Sequence, residues 1–163
     1  MAYTRTTWQE QITALSAANM NNIEDGVLDL YTKQIFKTRR VASQSITGNT
    51  VTSVLFDTND ITCAAVTHST SSNKDQIVIN EAGTYLATGQ MTIPDPGTAG
   101  TIQLWLNAAA IWGAVNYADS SPVAASYVYS FYAAAGDIIR SKVWSENNSV
   151  STTTVELCLI KMS

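Results

Sequence analysis

The sequence predicts a mainly β protein. Its fold class is an antiparallel jelly-roll β-sandwich, preceded by an extended arm and one helix that forms a short trimeric stalk. Three observations predict it. From residue 51 onward, short β-branched and aromatic runs alternate with turn clusters. Within the longest run, Tyr85, Ala87, Gly89, Met91 and Ile93 alternate with polar residues. Only residues 16–37 repeat apolar residues at the spacings of a helix.

Residues 1–15 read as an extended arm. Tyr3-Thr4-Arg5-Thr6-Thr7-Trp8 is β-prone but too short to fold alone. Tyr3, Trp8 and Ile12 are large apolar groups with no core nearby in sequence. They either fold back on the chain's own helix or dock into a partner. Residues 16–37 read as a helix capped by Ser16, with Leu15 and Met20 as a hydrophobic staple. Met20, Ile23, Val27 and Leu30 form its stripe, widened by Leu28, Tyr31 and Ile35. An apolar face of about 160° suits a three-helix bundle or a helix packed on both a neighbour and its own head.

Residues 38–50 read as a Ser-, Thr-, Gln- and Gly-rich linker with a turn at Gly48-Asn49. Residues 51–163 form the expected head. Strands are expected near 51–56, 61–67, 76–80, 83–93, 101–107, 110–115, 124–133, 137–145 and 152–161. Glu81-Ala82-Gly83 and Ala134-Ala135-Gly136-Asp137 supply turns, and Pro94-Asp95-Pro96-Gly97 ends the longest strand. Short strands in this number suggest two packed sheets.

Composition narrows the function. Charged residues make up only 13% of the 163, although hydrophobic content is ordinary at 45%. A surface so poor in charge suggests that part of it is buried against other subunits, or that Thr, Ser and Asn cover it. The net charge of -4 leaves no basic face for phosphates, so no nucleic-acid partner is expected. Lys37, Arg39 and Arg40 read as cations at the end of the helix. No membrane partner is expected, since Ala108 to Val115, the longest apolar stretch, is too short to span a bilayer. The N-terminus has no signal-peptide core, which points to synthesis in a cytoplasm. Cys63 and Cys158 fit buried free thiols.

Two resemblances follow. Val54-Leu55-Phe56-Asp57, Ile79-Asn80-Glu81-Ala82-Gly83-Thr84-Tyr85-Leu86-Ala87, Ala135-Gly136-Asp137-Ile138-Ile139 and Val155-Glu156-Leu157-Cys158-Leu159-Ile160 run along the head. They resemble the strand motifs of the complement-type and tumour-necrosis-factor-like superfamily of jelly rolls. That likeness covers about two-thirds of the chain, and its members assemble as homotrimers around an apolar axis. At the other end, Thr6-Thr7-Trp8, Ile12-Thr13-Ala14, Asn19-Met20-Asn21-Asn22 and Ile23-Glu24-Asp25-Gly26-Val27 resemble the attachment segment of bacteriophage appendage proteins. The second resemblance implies that Tyr3, Trp8 and Ile12 attach the protein to capsid or tail proteins. Met20, Ile23, Val27 and Leu30 would then serve trimerisation.

No residue pattern supports catalysis. The single histidine, His68, sits among polar residues and reads as a solvated loop side chain. No nucleophile elbow or phosphate-binding loop accompanies it, and the carboxylates are scattered. No cofactor is expected. Asp57, Asn59 and Asp60 cluster in a turn, and they are the candidate calcium ligands. A full site needs about six to eight oxygens, so an Asx-capped turn is the plainer reading. Trp112, Asn116 and Tyr117 are the candidate receptor contacts, because aromatic faces stack on sugars. Core or intersubunit packing competes for every aromatic. The expected protein is a non-enzymatic virion surface protein, a short fibre or spike that adheres to host-surface glycan. The alternative is a capsid cement or decoration protein that binds no receptor.

Overall fold

The computed structural model describes residues 21–23, 34–93, 99–117, 123–146, 150–152 and 154–162. The chain separates into two units, residues 1–33 with residue 163, and residues 34–162. In the first, Asn21–Ile23 are helical and exposed. The arm with Tyr3, Trp8 and Ile12, and the helix positions Met20, Val27 and Leu30, lie outside the described residues.

The second unit is a sandwich of two antiparallel sheets. Its strands are β1 (Ile35–Arg40), β2 (Gln44–Ile46), β3 (Thr52–Ser53), β4 (Thr58–Ile61), β5 (Val66–His68), β6 (Ile77–Ile79), β7 (Gly83–Ile93), β8 (Ala99–Leu106), β9 (Ala109–Tyr117), β10 (Val123–Ala133), β11 (Ile138–Ser145), β12 (Val150–Thr152) and β13 (Thr154–Lys161). One sheet runs β10-β7-β13-β1-β4. The other runs β5-β6-β11-β8-β9, with β3 also on β11, and β12 pairs with β2 separately. This is the jelly-roll class that the alternating pattern predicts.

The N-terminal boundaries differ from expectation. The helix expected to reach residue 37 stops short, because Ile35–Arg40 form β1, between β13 and β4. The stretch 38–50 is no linker. Thr38 is buried in β1, and Ile46 of β2 is fully buried. Pairing with β13 from Ile35↔Ile160 to Arg40↔Val155 sets a period of two here. It buries Phe36 and Thr38 and overrides the helical spacing seen at Ile35. Arg39 and Arg40 are therefore strand residues. The expected strand at 61–67 is split into β4 and β5, and that at 51–56 shortens to β3. Val54 and Phe56 of that run still reach the core.

Both sheets feed one core. From the first come Phe36, Tyr85, Ala87, Met91, Leu157 and Leu159. The second answers with Ile77, Ile79, Ile102, Leu104, Ile139 and Val143. Each full burial of such a side chain contributes about 1.5–3 kcal/mol. Tyr85 is enclosed, and its hydroxyl donates to the Glu81 carbonyl at 2.6 Å. Burial and the nearby Glu81 charge push that hydroxyl up to about 12. Gly89, opposite Tyr127 in the β7–β10 ladder, leaves room for the Tyr127 ring. A Cβ at Gly89 would lie 2.3 Å from Tyr127 Cζ.

Candidate functional site

The two sheets end side by side on one flank, in β9 and β10. Each pairs with only one neighbour among the described strands, β9 with β8 and β10 with β7. Unpaired strand edges are normally guarded by charge, proline, a bulge or shortness. β10 has none of these guards. It runs 11 residues, pairs with β7 from Val123↔Ile93 to Ala133↔Gly83 without a register shift, and carries no charged residue, proline or glycine. Val128 and Tyr132 are 65% and 66% exposed on it. β9 is also uncharged, though its pairing with β8 is bulged. The opposite flank is guarded. β4 is four residues long, shifts register against β1 and carries Asp60; β5 has only three residues.

Trp112 of β9 stacks on Tyr129 of β10, with ring centroids 5.1 Å apart and planes at 10°. Strand alternation puts Trp112 beside Leu104, toward the sandwich interior. At the flank it closes the gap between the sheets and stays 46% exposed.

The outward face of the first sheet adjoins this flank. Register aligns its side chains in rows across the strands. Ile35, Ile160 and Leu86 make an apolar row that ends at Ser130. The next holds Lys37, Cys158, Thr88 and Val128 around a shallow depression of about 400 Å³. The third is ionic. Arg39 Nε lies 2.9 Å from Asp60 Oδ1, Lys37 Nζ lies 3.3 Å from Glu156 Oε2, and Gln90 Nε2 donates to Glu156 at 2.8 Å. Two cations and two carboxylates cancel in this ladder, which lowers the cost of burying it.

The calcium candidates do not converge. Asp57 accepts the amides of Val41 and Ala42 at 3.0 and 3.1 Å and pairs with Arg40 at 3.2 Å. Asp60 faces Arg39 and Lys37, while Asn59 bonds His68. Strand geometry sends neighbouring residues to opposite faces, and each side chain is spent on a different partner. Burial raises the Asp57 carboxyl, but the two amides, Thr58 and Arg40 outweigh it and hold the group below 3.8.

His68 is not the solvated loop residue expected. It is half-buried at the end of β5, with Phe36 and Phe56 against its ring at centroid distances of 6.2 and 6.0 Å. Burial pushes its pKa down from 6.5, against upward pulls from the Lys74 carbonyl and the Asp75 charge. Cys63 and Cys158 are free and half-buried, and burial raises both thiols.

Among the candidate receptor contacts, only the Trp112 side chain is described. Asn116 and Tyr117 pair through backbone with Gly100 and Ala99. Trp105 lies on the outward face of the second sheet, with Lys142 Nζ 3.6 Å above its ring. Of the trimerisation candidates only Ile23 is described, and it is 42% exposed. Sequence reasoning missed Val128, Leu86 and Ile160 as surface groups. The absence of charge across Val123–Ala133 is the signal that marks β10 as an edge needing cover.

No protein-family model and no curated protein matches this sequence. Solved structures do match in fold. The globular domain of zebrafish complement 1qA protein aligns at 10% identity and a TM-score of 0.63, over 80% of this chain and 98% of that one. Murine APRIL at pH 8.0 aligns at 16% identity and 0.61, covering 80% and 100%. Eiger TNF from S. frugiperda aligns at 12% identity and 0.57, covering 80% and 92%. These likenesses show that the head shares the jelly-roll fold of those proteins.

Proposed function

We propose that this chain is a homotrimeric surface protein of a bacteriophage virion, non-enzymatic, tethered by its arm and helix and displaying the head for adhesion to host-surface glycan. The unguarded β9–β10 flank is the observation that carries the assembly. A long, unbulged, uncharged strand that pairs with one neighbour among the described strands invites uncontrolled pairing unless something covers it. The neighbouring sheet face is apolar in one row and charge-neutral in another, so a second copy can cover it without stranding charge.

A flank of one copy on the sheet face of the next is a heterologous contact, which forms a ring when the rotation between copies closes. The likeness to jelly rolls that form trimers supports three copies. The attachment role rests on the motifs from Thr6 to Val27. Three heads per spike and many spikes per particle convert weak sugar contacts into avidity. In this reading Trp112 packs between subunits, and outward groups such as Trp105 meet the host surface. Light scattering on the full chain tests the assembly: about three times the 17.6 kDa chain mass is expected, and a monomer at micromolar concentration overturns it. A glycan array tests adhesion: binding by the intact protein is expected. An array that stays blank while whole particles adsorb to cells removes the receptor role.

A further inference from the structure

The only histidine of the chain sits in a setting the proposed assembly does not use. Both ring nitrogens of His68 face oxygen. Nδ1 is 2.7 Å from Asn59 Oδ1, and Nε2 is 3.0 Å from the Lys74 carbonyl. Asn59 is oriented by its own Nδ2, which donates to the His68 carbonyl at 3.2 Å. Turning that amide over would set oxygen against oxygen. The Lys74 carbonyl cannot turn away either, since it also accepts the Phe56 amide at 3.0 Å.

A neutral imidazole has one N–H and one lone pair. Between two acceptors, one contact must then set lone pair against lone pair. An imidazolium donates to both. We propose that His68 is a proton-operated clamp: its doubly protonated ring fastens edge strand β4, through Asn59, and the loop ending at Lys74 to the core, and loss of the proton releases one of them.

The surrounding charges fit that assignment. Asp75 lies close enough to favour the cation and is itself tied to Arg140 Nε at 3.2 Å. From β1 and the segment before β4, Phe36 and Phe56 set their rings against it, while Arg39 and Asp60 are paired with each other. Burial opposes the charge. Against the Lys74 carbonyl and Asp75 alone, burial wins and leaves the pKa lowered. The 2.7 Å contact to Asn59, which has the length of a charge-assisted bond, is the further pull by which the proposal reverses that balance.

The sign follows from linkage. A folded-state pKa above the unfolded value makes the clamp's stabilisation complete below the unfolded value and lost as pH rises through the folded one. β4 also carries Asp60, one end of the ionic ladder, so the clamp secures the guarded flank of the sandwich.

A nuclear magnetic resonance titration of the full chain tests this, because one histidine gives one unambiguous signal. The expected midpoint lies above 6.5, the ordinary value. A midpoint one pH unit higher corresponds to about a tenfold preference for the clamped form. Asn59→Ala removes one acceptor and should lower the midpoint. A wild-type midpoint at or below the ordinary value overturns the proposal, and so does an Asn59→Ala midpoint that does not move.

Discussion

Trp112 and Tyr129 lie face to face across the open side of the sandwich, 5.1 Å apart and within 10° of parallel. One belongs to the last strand of the second sheet and the other to the last strand of the first. The stack therefore joins the two sheets at strands that, among the described strands, pair on one side only. Such aromatic pairs contribute about 0.5–1.5 kcal/mol beyond the area they bury. A double-mutant cycle with Trp112→Ala and Tyr129→Ala, read by urea unfolding, should show coupling in that range. Additive losses would mean that the rings touch without holding the sheets together.

Gly89 and Tyr127 make the complementary case, where absence of a side chain creates the fit. The Cβ of an alanine at position 89 would meet Tyr127 ring carbons at 2.3 and 2.4 Å. Gly89 lies on a strand paired on both sides and Tyr127 is buried, so relieving the contact means shifting a paired strand or a core ring. Overpacking of this kind costs about 1–3 kcal/mol. Gly89→Ala should lower the unfolding midpoint accordingly, and the loss should shrink when Tyr127→Val removes the ring. An equal loss in both backgrounds would assign the cost to backbone conformation.

Asp57 predicts a pH dependence. Its folded-state pKa lies below 3.8, because the amides of Val41 and Ala42, Thr58 and Arg40 together outweigh the upward effect of burial. A depressed carboxylate stabilises the fold above its unfolded pKa and ceases to do so as pH falls through its folded one. Asp57→Asn should therefore be less stable than the parent near neutral pH. As pH falls through the folded-state value the two should converge, because the parent carboxyl takes up its proton. Denaturant melts at a series of pH values would show it; a gap that stays constant into acid would trace the loss to packing.

These predictions draw on parts of the fold that differ in how legible they were. β7 was readable to the residue as 83–93, because a strand paired on both sides and buried on one face writes its alternation into the chain. β1 was not. Leu30, Tyr31 and Ile35 continue a helical spacing, and Thr38, Arg39 and Arg40 look like solvent-facing polar residues. In the sandwich, Thr38 is buried because its hydroxyl donates to the Thr58 carbonyl at 2.9 Å, a partner that local sequence does not reveal. His68 failed the same way: its neighbours in sequence are polar, while its neighbours in space include Phe36 and Phe56. Trp112 was singled out as a surface aromatic and is one, but its stacking partner depends on how the two sheets end. The need to cover β10 was legible in its lack of charge, though only after the sheet order made it an edge.

The last prediction concerns that edge. Val128 is 65% exposed and stands in the row with Thr88, Cys158 and Lys37. Its side chain points away from the core, so a charge there costs the isolated sandwich little. Buried against a second copy, an unpaired ammonium is expensive. Lys37 in the same row would add repulsion. Val128→Lys should therefore leave the unfolding transition of the head cooperative while light scattering falls from the assembled mass toward that of one chain. Val128→Thr, similar in shape and uncharged, should assemble almost as the parent does. If the lysine variant keeps its full mass, β10 is not covered by another copy, and the unguarded edge must be met by a different partner.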